Sequence, residues 1–238
     1  MQPITPGGVI GRVMAIYRDQ AAVLLGAALI VFGVDALASL LLTGSLVLVA
    51  VVLSLILSTF YQGMVVQLVR DVQDGRRDSS VGELFRSVSP AVVPLIAVSI
   101  LAGLGVAIGF LALIVPGLFL LTIWAVIAPV TVLERPGVLA AFGRSRQLVS
   151  GNGWTVFAVI ALVFLLVVIV AVVAGVVAAA AGDEGGGVVG WLLNAVTQPV
   201  AALTASVLYF ALLGDREPRV DDDSPQSYGG FSPPVADR

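Results

Sequence analysis

One aspartate, Asp35, lies well inside an apolar stretch of the sequence, ALIVFGVDALASLLL, and could bind a proton or a polar substrate there. An aspartate near the centre of a membrane helix costs about 2.5 to 3.5 kcal/mol, so such residues usually face a bundle interior or an aqueous cavity. The alternative is a structural role, with a hydrogen bond to Ser39 one turn later or to an amide of another segment. Both interpretations remain open from the sequence.

Three amide side chains lie in other apolar segments and complete a candidate intramembrane polar site with Asp35. Two prolines, Pro129 and Pro199, interrupt apolar segments and free a backbone carbonyl one turn earlier. Such kinks also occur in membrane helices without any ligand, so the alternative is a purely structural set. The three amides are Gln62, Asn194 and Gln198.

The residue types that support most enzymatic mechanisms are missing. The sequence has no cysteine and no histidine, which removes thiolate nucleophiles, imidazole bases and the commonest metal ligands. Asp35 has no second carboxylate within a span to form an acid-base pair, although a pair assembled across loops remains open. The run Asp221 to Asp223 reads as a solvated acidic segment. We therefore expect no catalytic residue, no metal site and no cofactor.

The composition is that of an integral membrane protein. Hydrophobic residues make up 59% of the chain, charged residues 11%, and the mean hydropathy is +1.08, whereas soluble domains carry about 25% charged residues. About 20 apolar residues are needed to cross a bilayer as a helix. The predicted fold is therefore an all-α bundle in residues 1–213, with six spans at about 21–43, 45–69, 91–114, 117–133, 154–181 and 188–213.

The basic residues predict the orientation of this bundle. All twelve are arginines, and all fall in the segments on one side of the predicted spans. The opposite side has two tight turns and the acidic loop GDEGGG at 182–187. The positive-inside rule then places both termini in the cytoplasm. With the arginine, alanine, valine and glycine usage of a high-GC bacterial gene, this favours a bacterial inner (plasma) membrane. The last segment, 214–238, is acidic and rich in proline, glycine and serine, and is predicted to be a disordered cytoplasmic tail.

Each cytoplasmic segment that leads into an odd-numbered span has an apolar stripe with helical spacing. Basic amphipathic helices beside a membrane usually lie in its interface, where lipid phosphates attract arginines by about 1 kcal/mol each. The predicted apolar faces are Ile10, Val13, Met14 and Tyr17; Val81, Leu84, Phe85 and Val88; and Val138, Ala141, Phe142, Ser145 and Val149. The predicted phosphate contacts are Arg12, Arg18, Arg86, Arg144 and Arg146.

The three stripes divide the chain into units that start near residues 9, 80 and 138. Each unit has an interfacial helix, a span, a tight turn and a returning span, which predicts three helix-hairpin repeats. The alternative is that any series of membrane hairpins needs charged joints on one side.

One stretch, residues 113–160, resembles the six-span membrane domain associated with bacterial glycerophosphoryl diester phosphodiesterases. The resemblance lies in a Pro-Gly turn, a span that ends in Pro-Val and a glutamate, a short Arg-Ser helix and an opening aromatic. The matching residues are Leu113, Pro116, Gly117, Pro129, Val130, Glu134, Ala141, Arg144, Ser145, Leu148, Val149, Gly151 and Trp154. These motifs concern topology. The resemblance implies a membrane domain without phosphodiesterase chemistry, since that chemistry belongs to a separate barrel domain with paired histidines.

The sequence thus favours a non-catalytic membrane protein that assembles with membrane lipids or other envelope proteins, with no nucleic-acid partner. The alternative is a small-solute or proton-coupled transporter or channel that uses Asp35. Packing order and oligomeric state do not follow from the sequence.

Overall fold

The computed structural model describes residues 5–76 and 80–216, without the side chains of residues 178, 180–189 and 194. Within these ranges the chain is helical and contains no strand, as predicted. The helices are α1 (Pro6–Asp19), α2 (Ala21–Leu41), α3 (Val47–Gln73), α4 (Val81–Val88), α5 (Val92–Ala112), α6 (Ile114–Ile123), α7 (Ile127–Pro129), α8 (Val138–Val149) and α9 (Gly153–Arg216).

Six helical stretches of the described chain are long and apolar enough to cross a membrane, which confirms the predicted all-α, six-span architecture. The reversal between the third and fourth spans falls at Leu113, whose backbone is extended. It was predicted at Pro116-Gly117, but Pro116 lies in the first turn of α6, where its missing N–H has no helical partner to lose. The six stretches are Ala21–Leu41, Gly44–Gln73, Val81–Ala112, Ile114–Glu134, Gly153–Val177 and Gly190–Asp215.

The last two spans belong to one helical element, α9, that doubles back on itself. A straight helix of its 64 residues would be about 96 Å long. Its two ends nevertheless lie close together, as shown by the hydrogen bond that the Asn152 side chain donates to Asp215 at 2.9 Å. The chain must therefore reverse in the segment between Val177 and Gly190. This segment contains the predicted loop 182–187, whose backbone belongs to α9. At the other end α9 continues through Arg216, and the rest of the predicted tail lies outside the described residues.

The helices follow the predicted order of three units. Each unit has a short helix, a span and a returning span: α1, α2 and α3; then α4, α5 and α6 with α7; then α8 and the two halves of α9. The spans of the first two hairpins pack directly against each other.

The first helix, α1, differs from the predicted interfacial helix. Its buried residues are Val9, Val13 and Ile16, whereas Met14 of the predicted face is 40% exposed. It packs on α9, where the Tyr17 hydroxyl donates to the carbonyl of Val196 at 3.3 Å. That carbonyl lies about 28 Å along the helix from Asp215 at the end of the span. The buried face of α1 is thus set by contact with α9 and differs from the predicted apolar face.

The other two short helices bury most of their predicted faces. In α4, Leu84 and Val88 are buried, but Phe85 is exposed and contacts the ring of Phe60 at 4.5 Å between centroids. In α8 the buried residues are Ala141, Ser145, Leu148 and Val149, which include three of the five predicted positions.

The hydrophobic core lies in the half of the bundle next to the arginine-bearing segments. Buried residues in α3 begin at Thr59, and those in the second half of α9 begin at Ala195 and continue to Leu212. Towards the opposite side the large apolar side chains are exposed, with Leu40 at 76%, Leu48 at 77% and Leu111 at 90%. We call this exposed part, residues 34–55, 100–115 and 160–177, the outer half. The large buried side chains therefore lie on the arginine side, whereas in the outer half close contact occurs in the α5–α6 hairpin, where Gly109 lies against Gly117.

The fourth span is broken rather than continuous. The α-helix α6 ends at Ile123, and after a turn the chain resumes as α7 and a five-residue π-helical segment, Val130–Glu134. The Trp124 ring at the break lies against Gly105 of α5, where a Cβ would come within 2.6 Å of it. The break therefore requires a residue without a side chain at position 105.

Candidate functional site: a polar cavity and an arginine-side network

A cavity of about 290 Å³ lies between α3, α5 and the second half of α9. Helix geometry places Gln62 about 16 Å from Gln73, and Gln198 about 26 Å from Asp215, so the cavity is near the middle of the bundle. Its polar lining residues are Ser58, Thr59, Gln62, Ser99 and Gln198. Three spans thus contribute hydroxyl or amide groups to one space inside the membrane.

The structure brings together two of the four residues of the predicted polar site. Gln62 and Gln198 come from α3 and α9 and line the same cavity. Asp35 is not among its lining residues, and the side chain of Asn194 lies outside the described part of the structure. The structure therefore places the two glutamines together and leaves Asp35 outside the lining of this cavity.

Asp35 is bound within its own hairpin. The hydroxyl of Ser54, on α3, donates a hydrogen bond to the Asp35 carboxylate. The predicted partners were Ser39 or an amide, but Ser54 faces Asp35 because α2 and α3 run antiparallel from the turn at Gly44. The same register pairs the Tyr61 hydroxyl with the carbonyl of Leu24 at 3.1 Å.

The two cavity amides keep their hydrogen-bonding capacity. Among the described residues, no hydrogen bond joins Gln62 or Gln198 to another protein group. The Ser58 hydroxyl donates to the carbonyl of Leu55 at 3.1 Å and retains its acceptor lone pairs. Tyr61 presents only its ring, since its hydroxyl bonds Leu24. Donors and acceptors of the two amides are therefore directed to whatever fills the cavity.

The residues shown lining the cavity include none with a charge. Amide groups buried in an apolar medium without a partner cost about 2 to 7 kcal/mol, so the space favours water or a polar solute as its content. Liquid water occupies about 30 Å³ per molecule, so a cavity of about 290 Å³ holds roughly ten.

A second polar cluster joins three elements on the arginine side. Glu134 ends the fourth span, and one carboxylate oxygen accepts from Arg144 Nε of α8 at 2.7 Å. The other accepts from the Tyr209 hydroxyl of α9 at 3.0 Å. The hydrogen bond to Glu134 raises the pKa of Arg144 above its ordinary value. Arg144 and Tyr209 are thus the two side-chain partners that the structure shows for Glu134.

The remaining candidate lipid contacts are exposed. Arg12, Arg18, Arg86 and Arg146 lie on the surface, and Arg12 donates to the Gln73 side chain at 2.8 Å. Arg144 is only partly exposed because Glu134 holds it. Four of the five predicted arginines are thus accessible to phosphates.

Ser145 of α8 has a structural function at the break in the fourth span. Its side chain is fully buried, and its hydroxyl donates to the carbonyl of Ile123 at 2.9 Å. Ile123 is the last residue of α6, so its carbonyl has lost its regular helical partner. The serine in the Arg-Ser motif therefore caps a helix from another element.

Sequence reasoning missed the hydroxyl groups of the cavity. Ser58 precedes Gln62 by four positions, which places both on one helical face, and this spacing could have identified it. Ser99 has no such signal, since its position beside Gln62 depends on how α5 packs on α3.

No protein-family model, curated protein or solved structure matches this chain.

Proposed function

We propose that this chain is a non-catalytic module of the bacterial cell envelope that binds membrane lipids and other membrane proteins through its outer half. The observation that carries the proposal is the limited extent of the core. In a self-sufficient helical bundle, inward-facing side chains are buried along the whole length of the spans. Here the large buried side chains lie on the arginine side, and apolar residues of the outer half such as Leu40 and Leu111 remain exposed.

An apolar cavity in the outer half supports the same proposal. It measures about 390 Å³ and lies between the two halves of α9, which line it with residues such as Val170, Ala174 and Leu193. An acyl chain or an apolar helix from a partner fits such a mostly apolar space, because the hydroxyl of its lining residue Thr197 already donates to the carbonyl of Leu193.

The carboxylates nearest the membrane support a structural function. Asp35 accepts from Ser54, and Glu134 accepts from Arg144 and Tyr209. A proton-coupled transporter based on Asp35 would need this carboxylate in contact with a wet path, and Asp35 does not line the polar cavity. This separation favours the module over the transporter.

The arginine side is proposed to face the cytoplasm of a bacterial inner membrane, as the positive-inside rule indicates. The contacts between Arg12 and Gln73, Arg144 and Glu134, and Asn152 and Asp215 support this by gathering the ends of four spans. The resemblance to the phosphodiesterase-associated membrane domain agrees with this layout.

Site-specific photocrosslinking in native membranes tests the proposal. A photoreactive residue at position 40 or 111 should yield a discrete crosslinked protein or a particular lipid class, because both side chains are exposed in the outer half. The matched control is position 84, which is buried and should crosslink only within the chain. A smear of bulk lipid identical at both outer positions, with a partner-free protein that moves a solute, would contradict the proposal.

A further inference from the structure

We propose that the cavity between Gln62 and Gln198 is a binding site for a small, uncharged solute that both donates and accepts hydrogen bonds. This goes beyond the proposed module, whose outer half is a different surface. The site is formed by α3, α5 and α9, and its two glutamines lie about 136 positions apart in sequence. Their convergence therefore depends on the tertiary fold.

The hydrogen-bonding capacity of the site indicates the class of ligand. Each glutamine side chain has two N–H donors and one acceptor oxygen. In the described chain neither amide is bonded to protein, and the hydroxyl of Ser58 has free acceptor lone pairs. A ligand with both donors and acceptors, such as an amide or a polyol, satisfies both glutamines in either orientation. A ligand with acceptors alone leaves their oxygens unpaired.

The lack of charged residues in the lining makes the binding of an ion energetically unfavourable. A charged solute in a low-dielectric interior needs a counter-charge or full hydration. No charged residue is among those seen lining the cavity, and the carboxylate of Asp35 is already bonded to Ser54. Of two solutes of similar size and shape, the uncharged one should therefore bind more tightly than the charged one.

The size of the site favours a small ligand. Ligand pockets occupy about 300 to 1,000 Å³, and this cavity, at about 290 Å³, is at the lower end of that range. Ala201 and Ala202 form part of its wall.

The absence of natural cysteines provides a direct experiment on the full-length chain in lipid nanodiscs. The variant Ser99→Cys places a thiol in the cavity wall, and Ile100→Cys places one at nearly the same depth on the exposed face of α5. We expect a small methanethiosulfonate reagent to modify the thiol at position 99, since the reaction needs a hydrated thiolate. Modification at position 100, in contact with lipid, should be much slower.

Three probes of similar size then define the specificity. Acetamide donates and accepts hydrogen bonds, acetate is charged, and acetone only accepts. Acetamide should slow modification at position 99 in a saturable way, with no effect of acetate or acetone. Adding Gln62→Leu should weaken the acetamide effect about tenfold, the equivalent of one lost hydrogen-bonded pair. Gln198→Leu should do the same, and serves if the first variant does not fold.

Three results would overturn the proposal. An unreactive thiol at position 99 would show a dry cavity. Equal protection by acetamide and acetone would show nonspecific filling, and protection that survives both leucine variants would place the ligand elsewhere. None of these results depends on the crosslinking of the outer half, so this proposal and the proposed module fail independently.

Discussion

The Tyr209 hydroxyl donates a hydrogen bond to Glu134 at 3.0 Å, across the interface between the fourth and sixth spans. Arg144 binds the other oxygen of the same carboxylate. The three side chains thereby connect the end of α7's π-helical segment, α8 and the second half of α9. Each of the three residues is a natural point for substitution.

The Glu134 cluster predicts different effects for the two arginines of α8. Arg144→Gln should lower the free energy of unfolding by about 1 kcal/mol, because it removes a charge-assisted hydrogen bond. Arg146→Gln, an exposed residue of the same helix, should leave it within about 0.5 kcal/mol. Reversible unfolding in mixed micelles measures both. Equal losses would contradict the assigned function of Arg144 as the network partner.

Ser145→Ala should destabilise the protein by about 1 to 3 kcal/mol, since the buried carbonyl of Ile123 would lose its donor. Gly143→Ala is the matched control, since a Cβ at this position of α8 meets no atom within 4 Å. The control should be neutral or slightly stabilising in the helix. Thermal unfolding in detergent compares the two, and an unchanged midpoint for Ser145→Ala would show that the cap carries no stability.

Gly105→Ala should destabilise the protein by about 1 to 3 kcal/mol through overpacking, because its Cβ would meet the Trp124 ring at 2.6 Å. Gly103→Ala lies on the same helix with open space around it and should be neutral to stabilising. The pair is compared by unfolding midpoints together with Trp124 fluorescence. With Trp154 and Trp191 replaced by phenylalanine in both variants, an emission shift in Gly105→Ala alone would locate the disturbance at Trp124, and equal midpoints for the two variants would contradict the overpacking.

Asp35→Asn should leave acetamide protection of a thiol at position 99 unchanged, because Asp35 is not among the residues that line the cavity and its carboxylate accepts from Ser54. A double-mutant cycle of Asp35→Asn and Ser54→Ala should show coupling of about 1 kcal/mol in stability, as expected for a directly bonded pair. Reconstituted vesicles provide the second measurement. Solute flux that falls with Asp35→Asn while the fold stays intact would restore the proton-coupled alternative.

The sequence predicted the features that depend on local composition and charge. Six apolar segments of about 20 residues define the spans, because a bilayer imposes that length. The faces of α4 and α8 followed from helical spacing, since both helices bury one side.

The features that depend on packing between distant segments could not be predicted. The buried face of α1 differs from the predicted face because α9 packs against it. Asp35 was included in the candidate polar site because depth in a span is visible in the sequence and direction around the helix is not. Gln62 and Gln198 were included for their polarity, but their position on one cavity depends on the tertiary structure.

The contact between α1 and α9 also sets the order of events during biosynthesis. The hydrogen bond from Tyr17 to Val196 spans 179 positions, and at 5 to 20 residues per second the ribosome needs about 10 to 35 s to make that length. The contact of α1 with α9 therefore forms only after the last span has been made, and the buried face of α1 depends on that contact. This face comprises Val9, Val13 and Ile16. The first helix to emerge completes its packing last, so a nascent chain arrested after the fifth span would present an apolar N-terminal helix to chaperones and proteases.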